Sequence, residues 1–263
     1  MCISFLKHLF GKKEEPVIET GTTETEEVVT SSTEVAETEG EIIEEPIITT
    51  MEKPYEGVNF HILLDNGHAK STPGKRQKLE SGRYFFEYEF NREVTKRIAE
   101  RLDNLGISYE MLVPEVEKDI ALSERASRAN SFCSKYGTEN CLFISVHSNA
   151  CGDGITFNSA KGWSVWTTVG NTKSDPIATI FFNVADETLP KYGFTTRKQM
   201  SDGDPDYEEN FTVIYKTKCP AILTENLFFT NKEEVAWLMS KEGKDVIADI
   251  HVEGIRRVID GLK

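Results

Sequence analysis

Apolar positions along this chain change their period several times, and each change predicts an element. Ile62-Leu63-Leu64 is a short apolar run that stops at Asp65-Asn66-Gly67-His68. A run this short, bounded by turn formers, predicts a buried strand over 59–65 that ends in a tight turn. A Gly-, Pro- and Lys-rich loop follows, from Ala69 to about Arg83. Across 87–105 the spacing becomes helical: Phe90, Val94, Ile98 and Leu102 recur every four residues, and Gly106 follows as a stop. Ile107–Val113 reads as a strand broken by Pro114, and 121–136 as a helix with Leu122, Ala126 and Ala129 inward. Cys141–His147 is a third strand, again ending in a histidine before a polar turn, Ser148-Asn149. Trp163–Thr168 alternates like a strand, and Asp175-Pro176 opens a helix to Leu189. Phe211–Tyr215 and Ala221–Thr224 read as two more strands, and helices over about 232–240 and 243–261 close the chain. Strands alternating with helices predict an α/β fold: a mixed, mostly parallel central sheet of about six strands with helices on both faces.

Composition alters this picture mainly at the N-terminus. Of the formal charge of −14, residues 14–50 supply −12 through twelve glutamates without a Lys or Arg, and the first thirteen residues supply +3; residues 51–263 carry the remaining −5. Residues 14–53, rich in Glu, Thr, Ser and Val and lacking aromatics, cannot bury enough apolar surface to offset the cost of ordering the backbone. They predict an acidic, disordered linker. Residues 1–13 place Ile3, Phe5, Leu6, Leu9 and Phe10 beside Lys12 and Lys13. That pattern fits a short amphipathic segment in weak contact with a membrane surface, or equally a frayed terminus. It is too short and interrupted for a secretory signal and has no cleavage site. Residues 54–263 are left as one folded domain. No basic face stands out, so nucleic acid is not an expected partner. Five irregularly spaced cysteines without a CxxC pair argue against a disulfide framework and favour a reducing compartment. No apolar run reaches the length that spans a bilayer.

The chemistry-bearing residues gather at predicted strand ends. Two strands end at His68 and His147, a third ends in Glu225-Asn226, and the first long helix opens near Glu87. A lone histidine after a strand is more often structural than catalytic. Two histidines and a carboxylate, however, make a three-ligand zinc site with one position open for water. A further glutamate outside that set can take a proton from the water and pass it to a leaving amine. Arg125 and Arg128 read as solvated or salt-bridged helix residues. Asn149 fits a turn asparagine, or one that orients His147 or contacts substrate. Trp163, Trp166 and Phe211 read as packing residues, and His8, His61 and His251 as bland. Asp202–Asn210 lacks the spacing of a calcium loop and is expected to rim the cleft.

In order along the chain, four segments resemble the zinc-dependent N-acetylmuramoyl-L-alanine amidases of the Amidase_3 family. These are Ile62-Leu-Leu-Asp-Asn-Gly-His68, Glu87-Tyr-Glu-Phe-Asn91, Ser145-Val-His-Ser-Asn-Ala150 and Pro220-Ala-Ile-Leu-Thr-Glu225-Asn-Leu-Phe-Phe-Thr-Asn231. Leu122-Ser-Glu-Arg125-Ala-Ser-Arg128-Ala-Asn130 is similar to the family's second helix. The resemblance covers roughly residues 58–262. It implies one Zn²⁺ held by His68, Glu87 and His147, with Glu225 as general acid/base. It also implies peptidoglycan as substrate, cleaved between N-acetylmuramic acid and L-alanine of the stem peptide, and a monomer is expected. Two departures stand out. Ala69 follows His68 where the family commonly has glycine, and the loop before Glu87 is long, which keeps Glu80 and Glu89 as rival ligands. Two other readings compete: a non-catalytic wall-binding module of the same fold, and a wall cysteine peptidase using Cys219 or Cys151 with His147. Without a recognisable signal peptide, the expected setting is an endolysin held in the cytoplasm until lysis, or an enzyme exported by another route.

Overall fold

The apolar runs become the central strands of a six-stranded sheet in the computed structural model, which describes residues 53–262. The amphipathic segment over 1–13 and all of the linker but Lys53 lie outside the described residues. The strands and helices are β1 (His61–Asn66), β2 (Arg76–Lys78), β3 (Tyr84–Phe86), α1 (Glu87–Leu105), β4 (Ser108–Met111), α2 (Leu122–Tyr136) and β5 (Cys141–Asn149). They continue with β6 (Ser164–Thr167), α3 (Asp175–Thr188), β7 (Tyr207–Glu208), α4 (Thr212–Tyr215), β8 (Ala221–Phe228), α5 (Lys232–Leu238) and α6 (Lys241–Gly261). The sheet order is β4-β1-β5-β8-β6-β7; only β6 against β8 is antiparallel. β2 and β3 form a separate antiparallel hairpin.

Buried on both faces, the central strands can be apolar at every position. Ile62, Leu64, Ile144, Val146 and Ile222 pack with Val94, Ile98 and Leu102 of α1 and with buried residues of α3 and α6. Leu63, Phe143 and Leu223 point the other way, toward Ala129 and Cys133 of α2 and Val213 and Ile214 of α4. From β1 the chain reaches β4 through α1, on one face, and returns past β1 to β5 through α2, on the other. The strand order therefore reverses direction between β1 and β5, the place where open α/β sheets leave a crevice at their carboxyl edge.

Some expectations are corrected. Phe211–Tyr215 is not a strand. Phe211's carbonyl accepts from the backbone N–H of Ile214 and Tyr215, closing the short helix α4, whose Val213 and Ile214 pack onto the second core. Leu122, expected inward, is 44 % exposed at the start of α2, while Ala126 and Ala129 are buried as expected. Asp202–Asn210 does more than rim a cleft. Its Tyr207 and Glu208 form the edge strand β7, and buried Asp206 accepts from Thr167 Oγ1 at 2.5 Å. The polar pair Glu225-Asn226 does not end its strand, since β8 runs on to Phe228. Trp163 and Trp166 are core residues, Trp163 fully buried.

His251, in α6, fastens that helix to β8. Its Nε2 lies 2.9 Å from Thr224 Oγ1 and its Nδ1 lies 2.7 Å from the Ile247 carbonyl. Burial drives its pKa from 6.5 down to about 4. The unfolded chain therefore binds this proton first as pH falls. The stability from neutral His251 is complete above about pH 6.5 and is lost as pH falls toward 4, by about 3 kcal/mol. Urea unfolding of wild type and His251→Gln across pH 4–7 is expected to show the variant with the shallower acid slope; parallel slopes would remove His251 from the account.

Candidate active site

The carboxyl-terminal halves of three neighbouring strands and one helix start converge above the β1–β5 crevice. His68 lies two residues beyond β1. His147 lies near the end of β5, Glu225 stands beside it in register on β8, and Glu87 is the first residue of α1. One ring nitrogen from each histidine and a Glu87 carboxylate oxygen all lie within 4.8 Å of one another. Glu87 Oε1 is 3.3 Å from His68 Nε2 and 3.1 Å from His147 Nδ1. The two rings meet edge-on, with centroids 4.8 Å apart.

Local sequence explains how the groups meet. Gly67 passes under the His147 ring, and a Cβ there would lie 2.1 Å from His147 Cε1. His68 takes a left-handed backbone, φ 67°, which costs a residue with a Cβ of order 1–3 kcal/mol. The turn is pinned from α1: Asn91 Nδ2 donates to the Gly67 carbonyl at 3.0 Å and Arg92 Nη1 to the His68 carbonyl at 2.8 Å. The long loop before Glu87 is the β2–β3 hairpin. It returns the chain so that the Glu87 N–H donates to the Lys75 carbonyl at 3.0 Å, and Lys75 Nζ lies 4.0 Å from Glu87 Oε2. The rival carboxylates lie elsewhere. Glu80 is exposed and paired with Lys232, and Glu89 is exposed and accepts from Tyr88 Oη.

The electrostatics separate the two glutamates. Burial opposes ionisation of Glu87, but the nearby His68 and Lys75 and the hydrogen bond with His147 outweigh it and hold its pKa well below the usual carboxylate range. Its place at a helix N-terminus favours the charge further. Burial lowers the pKa of His68 despite Glu87. For His147 burial is overcome by Glu87, and the pKa rises. Glu225, 7 % exposed, is pushed up to about 7, chiefly by burial; His147 pulls it down and the Glu87 charge pushes it up. A carboxylate poised near 7 suits a group that both takes and returns a proton.

The donor set can hold a metal ion. Two imidazoles and a carboxylate are the ligands of a catalytic zinc site. His68 Nε2 and Glu87 Oε2 are buried without a hydrogen-bond partner, as is Glu225 Oε2. Buried polar atoms without partners are rare, and each calls for an explanation such as an ion or water. A cation among them would satisfy the first two.

Several residues that build the site carried no distinct sequence signal. Arg125 is salt-bridged, but it is buried rather than solvated: it pairs at 2.8 Å with Asp65 and at 2.8 Å with Asp119. Arg128 pairs with Glu115 and Glu124 at the surface. Asn149 is the last residue of β5, and its Oδ1 accepts from Ala150 N. The neighbour that holds β5 is Asn226, which donates to the His147 carbonyl at 2.7 Å and accepts from Trp163 Nε1. The thiols do not form a dyad with His147. Cys219 precedes β8 at the opposite edge of the sheet, is buried, and has its pKa raised by its hydrogen bond with Cys133 and by burial. Cys151 lies in the turn after β5, where its N–H donates to Thr230 Oγ1 at 3.0 Å.

Comparison with known proteins agrees with this geometry. The chain is 29 % identical over 142 residues to an endolysin of Bacillus phage SPP1, covering 53 % of this chain and 45 % of that protein, so it spans under half of the endolysin's length. It is 26 % identical over 200 residues to the N-acetylmuramoyl-L-alanine amidase CwlM of Bacillus licheniformis, covering 76 % of this chain and 68 % of that one. Among solved structures, an N-acetylmuramoyl-L-alanine amidase from Clostridium difficile 630 superposes with a TM-score of 0.61 at 25 % identity, over 76 % of this chain and 97 % of that chain. The catalytic domain of CwlV from Bacillus (Paenibacillus) polymyxa does so at 0.62 and 21 %, over 76 % and 98 %. The Amidase_3 family profile, described as N-acetylmuramoyl-L-alanine amidase, matches residues 62–257, the whole span that carries the converging strand ends, and the chain belongs to that family.

Proposed function

We propose that this protein hydrolyses the amide between N-acetylmuramic acid and the L-alanine of the peptidoglycan stem peptide, with one Zn²⁺ held by His68, Glu87 and His147. The observation that carries the reading is the meeting of two imidazoles and a carboxylate within 4.8 Å, beside a second buried carboxylate, Glu225, whose Oε2 has no partner. The chemistry supplied by zinc bound there is Lewis acidity toward the scissile carbonyl and a water acidic enough to ionise near neutral pH. Glu225 takes the proton from the attacking water and gives it to the alanine nitrogen as the C–N bond breaks. Its burial keeps the pKa high enough for both halves of that task. Glu87, held ionised, balances the charge that the histidines alone cannot. The non-catalytic reading would leave a poised Glu225 without a use. The proposal extends to the setting: a monomer acting on the wall, reached by release at lysis as an endolysin or by export.

Three outcomes are expected. Chelation abolishes release of free L-alanine amino termini from purified peptidoglycan, Zn²⁺ restores it, and mass analysis finds intact muramic acid on the glycan. Cleavage of a different bond would replace this reading. Glu225→Gln, assayed on the same substrate, lowers kcat by about 10²–10⁴-fold while zinc stays bound; near-full activity would remove Glu225 from the mechanism. Gly67→Ala forces a methyl against His147, an overpacking of about 1–3 kcal/mol, and lowers zinc affinity in a chelator competition. Unchanged affinity would show that the ring does not need that clearance.

A further inference from the structure

Ser145 and His147 lie two residues apart on one face of β5, and Ser145 is fully buried. Ser145 Oγ is 3.1 Å from His147 Nε2, and its hydroxyl donates to Asp65 Oδ2 at 2.5 Å. Asp65, 1 % exposed, accepts at Oδ1 from Arg125 Nη1 at 2.8 Å. Arg125, equally buried, is itself held by the Ile120 carbonyl at 2.8 Å, the Asn66 carbonyl at 3.3 Å and Asp119 at 2.8 Å.

This chain has a direction. Arg125 donates to one oxygen of Asp65 and so fixes the other toward Ser145, and a carboxylate can only accept. The single hydroxyl proton of Ser145 is therefore committed to Asp65, and what Ser145 presents to His147 is a lone pair. Nε2 of His147 must then carry hydrogen. The other ring nitrogen, Nδ1, is the one that faces Glu87 Oε1. An imidazole binds a metal only through a nitrogen without hydrogen, and the partner of the opposite nitrogen decides which one that is.

We propose that Ser145, fixed by Asp65 and Arg125, is a positioning residue that keeps the hydrogen of His147 on Nε2 and so leaves Nδ1 to bind the metal. The proposal rests on the reading of His68, Glu87 and His147 as metal ligands. The alternative tautomer would aim a hydrogen into the ligand set and set a lone pair against that of Ser145.

The test uses the full chain labelled with ¹⁵N-histidine, with Zn²⁺ as probe. Zinc affinity is measured by competition with a chelating dye, and the His147 ring nitrogens are read by NMR in the loaded protein. Wild type is expected to show a slowly exchanging Nε2–H. Ser145→Ala is expected to bind zinc about 10–100-fold more weakly, with faster exchange of that hydrogen, and Ser145→Thr, which restores the hydroxyl, to recover most of the affinity. Circular dichroism and thermal melts of the zinc-free variants establish that each folds. A Ser145→Ala protein with a lowered melting temperature but unchanged affinity and Nε2–H exchange would make Ser145 merely structural and overturn the proposal. A wild-type protein that takes up no zinc would instead overturn the ligand reading beneath it.

Discussion

An ionised carboxylate with 1 % exposure, as Glu87 has, costs several kcal/mol unless positive charge and hydrogen bonds face it. Most of what is unusual around the crevice answers that requirement. The two imidazoles face one oxygen, and the Ser148 N–H points at the same oxygen at 3.3 Å. Lys75 approaches the other oxygen. Each of these neighbours in turn demands something of the chain. Lys75 requires the β2–β3 hairpin to fold back over the start of α1. His147 requires a residue without a side chain at Gly67. His68 requires a left-handed turn that Asn91 and Arg92 hold from α1. Glu87 is thus both the first residue of a helix and the point on which three separate segments are registered.

The sheet is bent to the same end on its other side. Between β5 and β8 the pairing slips: His147 faces Glu225, but Asn149 faces Phe228. β8 thus carries one residue more than β5 over this stretch, and Leu227, at φ 62°, absorbs it. A bulge of this kind bends its strand and re-aims neighbouring side chains, and bulges are common beside active sites. Here Glu225 stays next to His147 while Leu227 and Phe229 return to the core. Ser148 Oγ closes the bulge on the carbonyls of Asn226 and Leu227 at 3.2 Å each.

Much of this was legible in the sequence because the signals are local. A buried parallel strand is a short apolar run, and its end is marked by the first polar residues. That rule locates Asp65, His68 and His147 without knowledge of the fold. It fails at Glu225, because a polar pair inside a bulged strand looks like a strand end, and β8 runs three residues farther than Glu225. It fails also at Phe211–Tyr215, where five aromatic or β-branched residues suit a strand by propensity, yet the segment closes as one helical turn against α2. Propensity in so short a segment is overridden by packing. Arg125 was not legible for a different reason. An arginine on a helix is ordinarily solvated, and only the crossing of α2 over the end of β1 brings Asp65 to it. That crossing is long-range and has no periodicity to announce it.

The Arg125 ion pair bears on more than packing. Buried salt bridges are weak evidence for stability, since the cost of removing both charges from water is about as large as their attraction. A protein that needed only cohesion at this point would do as well with apolar side chains. What apolar side chains cannot do is orient hydrogen bonds. One arm of Arg125 reaches Asp65, and through Ser145 the ring of His147. The other reaches Asp119, which accepts from Thr72 Oγ1 at 2.6 Å; Thr72 Oγ1 in turn accepts from the Ala69 N–H at 2.9 Å. Ala69 is the residue that replaces the expected glycine, and its backbone is tied down one residue after His68. Both histidines are therefore registered from a single guanidinium at the sheet's switch point. The absence of glycine after His68 is tolerated because the strain falls on His68 itself, while Ala69 is buried with its donor satisfied.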